Sequence, residues 1–89
     1  MIRKRAIVHG RVQGVGFRYN ARSEAARLGI GGYARNRPDG AVEVEIEGDE
    51  ASVTRMLSWL ERGPRFAKVD SVDVSDVPAV GDQRFDIAF

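Results

Sequence analysis

The chain has 89 residues, 43% hydrophobic and 30% charged, with no cysteine, one histidine and a net charge of +1. That length and composition describe one small globular domain spanning residues 1–89. They exclude a disulfide framework, a thiolate metal site and a multi-histidine metal site.

The basic start Met1–Arg5 leads only into Ala6-Ile7-Val8, too short for a signal-peptide core, and no run approaches membrane-spanning length. A cytoplasmic protein is expected. Charge is unevenly spread. Residues 1–37 hold nine basic side chains against Glu24 alone, whereas residues 38–89 hold five against twelve acidic ones. A basic half points to an anionic ligand, and the acidic half argues against broad nucleic-acid binding.

Residues 4–12 read as a first strand, with Ala6, Val8 and Val12 on one face and Arg5, Ile7, His9 and Arg11 on the other. Gly10 within it predicts a bulge or a close backbone approach. His9 reads as a sheet-face residue with no visible orienting partner. Residues 18–28 read as a helix whose apolar stripe is Phe17, Ala21, Ala25 and Leu28, ended by Gly29. Residues 31–37 and 41–47 form a hairpin about the Arg37-Pro38-Asp39-Gly40 turn. In its second strand Val42, Val44 and Ile46 point inward and Glu43, Glu45 and Glu47 outward. Asp49 caps a second helix with the stripe Val53, Met56, Leu57 and Leu60, and Trp59 beside it reads as packing; Gly63-Pro64 ends it. A fourth strand lies within 67–77, its alternation broken from Val69 to Ser71, and Phe85, Ile87 and Phe89 alternate as a short last strand. The order βαββαβ plus a terminal strand predicts an α+β fold, the ferredoxin-like sandwich: an antiparallel sheet with two helices on one face.

The stretch from His9 to Arg18 carries the chemistry. Glycines at 10, 14 and 16 lie between a strand and a helix, followed by Arg18. Such a turn aims several N–H groups at one point, the helix N-terminus adds partial positive charge, and arginine adds a planar fork of donors. This describes a cradle for one tetrahedral anion; the plainer reading is a tight β–α connection. No Gly-Lys-Ser/Thr follows, so it is not a nucleoside-triphosphate loop, and the dinucleotide glycine spacing is absent.

Val8-x-Gly10-x-Val12-Gln13-Gly14-Val15-x-Phe17-Arg18 resembles the first signature of acylphosphatases. Gly32-Tyr33-Ala34-Arg35-Asn36-x-x-x-Gly40-x-Val42, continuing to Gly48, resembles their second, with Tyr33 where tryptophan is frequent. The ending Ala88-Phe89 lacks the basic residue and tyrosine of many members, which leaves contacts from the tail open. The resemblance implies hydrolysis of an acyl phosphate to a carboxylate and inorganic phosphate. It implies phosphate binding by the loop Gln13, Gly14, Val15, Gly16, Phe17 and Arg18, and placement of the attacking water by Asn36. It implies no metal and no cofactor. The expected partner is a small acyl phosphate, with inorganic phosphate or sulfate as competing ligands, no nucleic acid, no membrane, and a monomeric chain. Asn36 by itself also suits a turn-flanking residue. Arg35 and Arg37 read as solvated, and Asn20 is a candidate for the pocket rim. RNA-recognition domains share the strand order, but the outward glutamates would repel a phosphate backbone. A non-catalytic anion-binding module is the other alternative.

Overall fold

A computed structural model describes residues 1–89. The elements run β1 (Ile2–Arg11), α1 (Phe17–Leu28), β2 (Gly31–Asn36), β3 (Val42–Gly48), α2 (Glu50–Arg62), β4 (Lys68–Val77) and β5 (Phe85–Ala88). The sheet order is β4-β1-β3-β2-β5. β1 and β2 flank β3 antiparallel, and β3 and β4 flank β1 antiparallel. Each helix therefore crosses over between two parallel strands separated by an antiparallel third, giving two interleaved split βαβ units. The four long strands are antiparallel throughout. The terminal strand β5 is the exception: it pairs parallel to β2, with Arg35 opposite Ala88.

Side-chain alternation sets the core. Ala6, Val8, Ala34, Val42, Val44 and Ile46 face the helices and are fully buried. α1 contributes Phe17, Ala21 and Ala25 to the same cluster, and α2 contributes Val53, Met56 and Leu60. Trp59 packs on Phe17 with ring centroids 5.5 Å apart. Gly63, just past α2, lies so near Phe17 that an added Cβ would come within 2.8 Å of its ring. The start of α1 is thereby clamped by the end of α2.

Gly10 sits at a bulge. His9 pairs with Ser71 but Gly10 with Val69, so Asp70 is the extra residue, which accounts for the broken alternation of β4. A Cβ at Gly10 would stand 2.2 Å from the Lys68 carbonyl oxygen, and only glycine allows that approach. Asp49 caps α2 by accepting from the Ser52 N–H at 2.8 Å.

The helix-free face is not left to solvent. Glu43, Glu45 and Glu47 point outward from the core as expected, yet they are buried, Glu47 to 3% exposure. The register sets Arg3 beside Glu47 and Arg5 beside Glu45. Arg3 Nε donates to Glu45 at 2.7 Å and its Nη1 to Glu47 at 3.1 Å and Asp82 at 2.9 Å. Arg5 reaches Glu45 at 2.9 Å and Arg35 reaches Glu43 at 3.0 Å. The single Tyr33 hydroxyl lies between Glu43 and Glu45. Burial pushes the Glu43 and Glu45 carboxyls up, but hydrogen bonds from Tyr33, Arg3, Arg5 and Arg35 outweigh it and hold both below the usual glutamate range. Glu47 is held low chiefly by the Val80 N–H, with Arg3 and the Gly81 N–H adding to it. The charges of the basic and acidic halves thus neutralise each other across the middle of the sheet. No helix is long and apolar enough to cross a membrane.

Candidate active site

The loop from β1 into α1 is anchored on both sides. Val12 is buried and Val15 packs against the core cluster. Gly14 and Gly16 adopt positive φ of 74° and 76°, and Gly16 occupies the N-cap position of α1 with no side-chain cap. That left-handed conformation costs glycine little and other residues more. It leaves the helix N-terminus uncovered. The amides of Gln13, Gly14, Val15 and Gly16 donate no hydrogen bond within the protein. The first-turn amides of α1 have no intrahelical acceptor by geometry.

Gly14, Gly16, Phe17, Arg18 and Asn36 meet in one cleft of about 140 Å³, together with Val12 and Tyr19. Of the residues predicted from sequence, Gln13 and Val15 do not line it. Gln13 turns its side chain away and donates through Nε2 to the carbonyls of Arg37 at 2.8 Å and Ala41 at 2.9 Å. It fastens the loop to the β2–β3 turn, and hence beside Asn36. That turn closes itself through Gly40 N–H to Arg37 O, 3.1 Å, and Asp39 accepts the Ala41 N–H at 3.0 Å.

Arg18 is the one charged residue of the cleft and takes part in no ion pair. It is held from the end of the chain. Nη1 donates to the Ala88 carbonyl at 3.1 Å, and the guanidinium carbon lies 4.9 Å from the Phe89 ring centroid. The tail therefore does reach the site, through a backbone carbonyl and a ring. Asn36, the last residue of β2, presents a buried Oδ1 with no hydrogen-bond partner. A buried acceptor left unpaired is costly, and this one belongs to a residue of the cleft lining.

Other residues fall elsewhere. Asn20 does not line the cleft; its amide donates to Gly16 O at 2.7 Å, duplicating the 3.0 Å bond from its own N–H. His9 lies outside the cleft and pairs with Asp73 at 3.0 Å, a partner the sequence did not reveal. Arg35 is exposed as expected and also binds Glu43, and half-buried Arg37 binds Asp39 at 3.2 Å. Hollows of about 580 and 460 Å³ lie elsewhere on the surface, but neither contains the unpaired loop amides. Size alone does not pick out the site. No three His, Cys, Asp or Glu side chains gather where they could hold a metal ion.

The acylphosphatase family model matches residues 4–87. The chain belongs to the acylphosphatase family of enzymes. It is 48% identical over 89 residues to the acylphosphatase of Anaeromyxobacter dehalogenans, covering 99% of this chain and 96% of that one. It is 55% identical over 76 residues to the acylphosphatase of Pseudomonas paraeruginosa, covering 85% and 84%. The crystal structure of acylphosphatase from Bacillus subtilis superposes with a TM-score of 0.95 at 39% identity, over 100% of both chains. The enzyme's tail and its Gln13 tether were the parts of the site not foreseen. Only the polar side chain of Gln13, set in a glycine-rich loop, offered a sequence signal for the tether.

Proposed function

We propose that this enzyme hydrolyses small acyl phosphates to a carboxylate and inorganic phosphate, with the phosphoryl group held by the 13–18 loop and Arg18 and the attacking water placed by Asn36. One observation carries the reading: Asn36, with its unpaired Oδ1, lines one cleft with Gly14 and Gly16, whose amides are free, and with Arg18, which forms no ion pair. Donors and acceptor then have separate tasks. The amides and guanidinium suit phosphate oxygens. The Asn36 oxygen accepts only from a donor, and water is the donor the reaction needs. Water attacks phosphorus, the bond from phosphorus to the acyl oxygen breaks, and the carboxylate departs with the electron pair. A carboxylate leaves readily, so little acid assistance is required, and positioning and charge stabilisation carry the barrier. No carboxylate or imidazole lines the cleft, so the proton of the attacking water passes to a phosphate oxygen of the substrate.

The test is phosphate release from benzoyl phosphate, with EDTA present, by the wild type and by Arg18→Ala. Turnover that inorganic phosphate and sulfate inhibit competitively, and that Arg18→Ala loses, is the expected result. Wild-type turnover that EDTA abolishes and a divalent ion restores, or full activity in Arg18→Ala, would refute the assignment. Abolition of kcat by an Asp39 or Asp49 substitution in a folded protein would refute the proton route.

A further inference from the structure

The Asn36 oxygen has no protein partner to fix its direction. Its placement therefore depends on the backbone that carries it, and that backbone is a strand end. Asn36 opposite Val42 is the last rung of the β2–β3 ladder. On the other side it lies one residue past the last rung with β5, Arg35 opposite Ala88. Such an end, with few partners, is where local opening costs least.

One carboxylate secures both neighbours of Asn36. Arg35 Nη2 donates to Glu43 Oε1 at 3.0 Å, and Arg37 Nη1 stands 3.7 Å from the same oxygen. The other oxygen accepts from the Tyr33 hydroxyl. Arg37 also binds Asp39, but Asp39 belongs to the turn itself and cannot anchor that turn to the sheet. Glu43 sits on β3, in the middle of the sheet, and its carboxylate is buried. Bonds to a charged acceptor are the strong ones, and a buried charge is little screened by salt.

The carboxylate works from the face opposite the cleft. Glu43 and Arg35 are opposed in register on the helix-free face, whereas Asn36 and Val42, the next rung, alternate to the helix side. Glu43 does not line the cleft. It reaches the reaction only through the β2 backbone.

We propose that Glu43 is a positioning residue for hydrolysis: by holding Arg35 and Arg37 together it fixes the backbone of Asn36, and with it the direction of the oxygen that takes the attacking water. The proposal rests on the assignment of water placement to Asn36. Glu45, in the same network, serves as the control. Its partners are Arg3, Arg5 and Tyr33, and none of them adjoins Asn36.

The experiment measures kcat for benzoyl phosphate, the inhibition constant of inorganic phosphate and Tm. It uses wild type, Glu43→Gln, Glu45→Gln, Asn36→Ala and the double variant Glu43→Gln with Asn36→Ala, with kinetics run well below every Tm. Glutamine keeps the size and one acceptor oxygen but removes the charge that draws two guanidinium groups. Glu43→Gln should lose about three- to tenfold in kcat, because small misplacement is costly. Its phosphate inhibition constant should stay within about twofold of wild type. Glu45→Gln, although also destabilised, should keep kcat within about twofold. In the Asn36→Ala background Glu43→Gln should change kcat by less than about twofold, because its effect has no other route. If Glu43→Gln does not fold, Arg35→Met, which removes one exposed arm of the clamp, takes its place in every comparison. Wild-type kcat in Glu43→Gln, a parallel loss of phosphate affinity, an equal kcat loss in Glu45→Gln, or an undiminished loss in the Asn36→Ala background overturns the proposal while the Asn36 assignment stands. Wild-type kcat in Asn36→Ala overturns that assignment, and this proposal with it.

Discussion

Replacing Gln13 by alanine removes two hydrogen bonds and nothing from the cleft lining. Nε2 donates to Arg37 O at 2.8 Å and to Ala41 O at 2.9 Å. A protein hydrogen bond contributes about 0.5–1.5 kcal/mol net. Both carbonyls keep a backbone partner after the change, since Gly40 N–H donates to Arg37 O and Arg37 N–H to Ala41 O. No acceptor is orphaned, so the loss falls toward the lower end, about 1–2 kcal/mol in all. At about 4–8 °C per kcal/mol for a domain of this size, Tm should drop by about 5–15 °C. The loop would then be free to shift relative to Asn36. Misplacement by about 1 Å can cost 10²-fold in rate, so kcat should fall by about 10- to 100-fold. Gln13→Glu should be worse than Gln13→Ala, because a carboxylate would face two carbonyl oxygens with no proton to offer. Thermal unfolding by circular dichroism, with kinetics run well below Tm, checks all of this. A Gln13→Ala variant with unchanged Tm and lost phosphate affinity would refute the reasoning, because the side chain would then sit on the ligand and not on the turn.

Arg18→Lys should lose about 10²–10³ in kcat although charge is kept, with Tm within a few degrees of wild type, because a flexible point charge cannot reproduce the bidentate fork; near-wild-type turnover would show that the site needs charge alone. Asn36→Ala should lower kcat and leave the inhibition constant of inorganic phosphate nearly unchanged, whereas parallel losses in both would move Asn36 into the phosphate cradle. Glu43, Glu45 and Glu47 all titrate below the usual range. Their contribution is therefore complete above the unfolded glutamate pKa of about 4.3 and is lost as pH falls through the lowered folded values. Tm should hold down to about pH 4.5 and decline below it, and a flat profile to pH 3 would show that the network adds nothing. Glu45→Gln, which takes one charged partner from buried Arg3, should cost about 1–3 kcal/mol at pH 7 by chemical denaturation and flatten that acid limb.

Much of the fold was legible because its determinants are local. The i, i+4 spacing in α1 and the alternation in β3 each lie within a dozen residues. The Gly10 bulge left two separate marks, a glycine inside one strand and broken alternation in another, and the register joins them. The cover of the open face was not legible, for the opposite reason. Alternation tells which residues share a face but not what stands opposite them. The glutamates of β3 become buried because β1 lies on one side with Arg3 and Arg5, some forty residues away in sequence, because β2 lies on the other with Tyr33 and Arg35, and because Glu47 draws in the Val80 and Gly81 amides. A pattern read as polar outside was a layer of ion pairs.

The candidate site divides along the same line. Gly14, Gly16 and Arg18 belong to one short loop, and Asn36 ends a strand next to a turn, so their residue types spoke for themselves. What positions them did not. Gln13 looked like one more loop residue, and its service is to a turn more than twenty residues on. The terminal strand looked like a short apolar alternation, yet its parallel pairing to β2 carries the Ala88 carbonyl and the Phe89 ring to Arg18. A guanidinium free of carboxylates keeps its full charge for a ligand, but it also has no ion pair to fix its direction. A carbonyl and a ring supply that direction without neutralising the charge, which is the condition an arginine must meet if it is to wait, aligned, for a phosphoryl group.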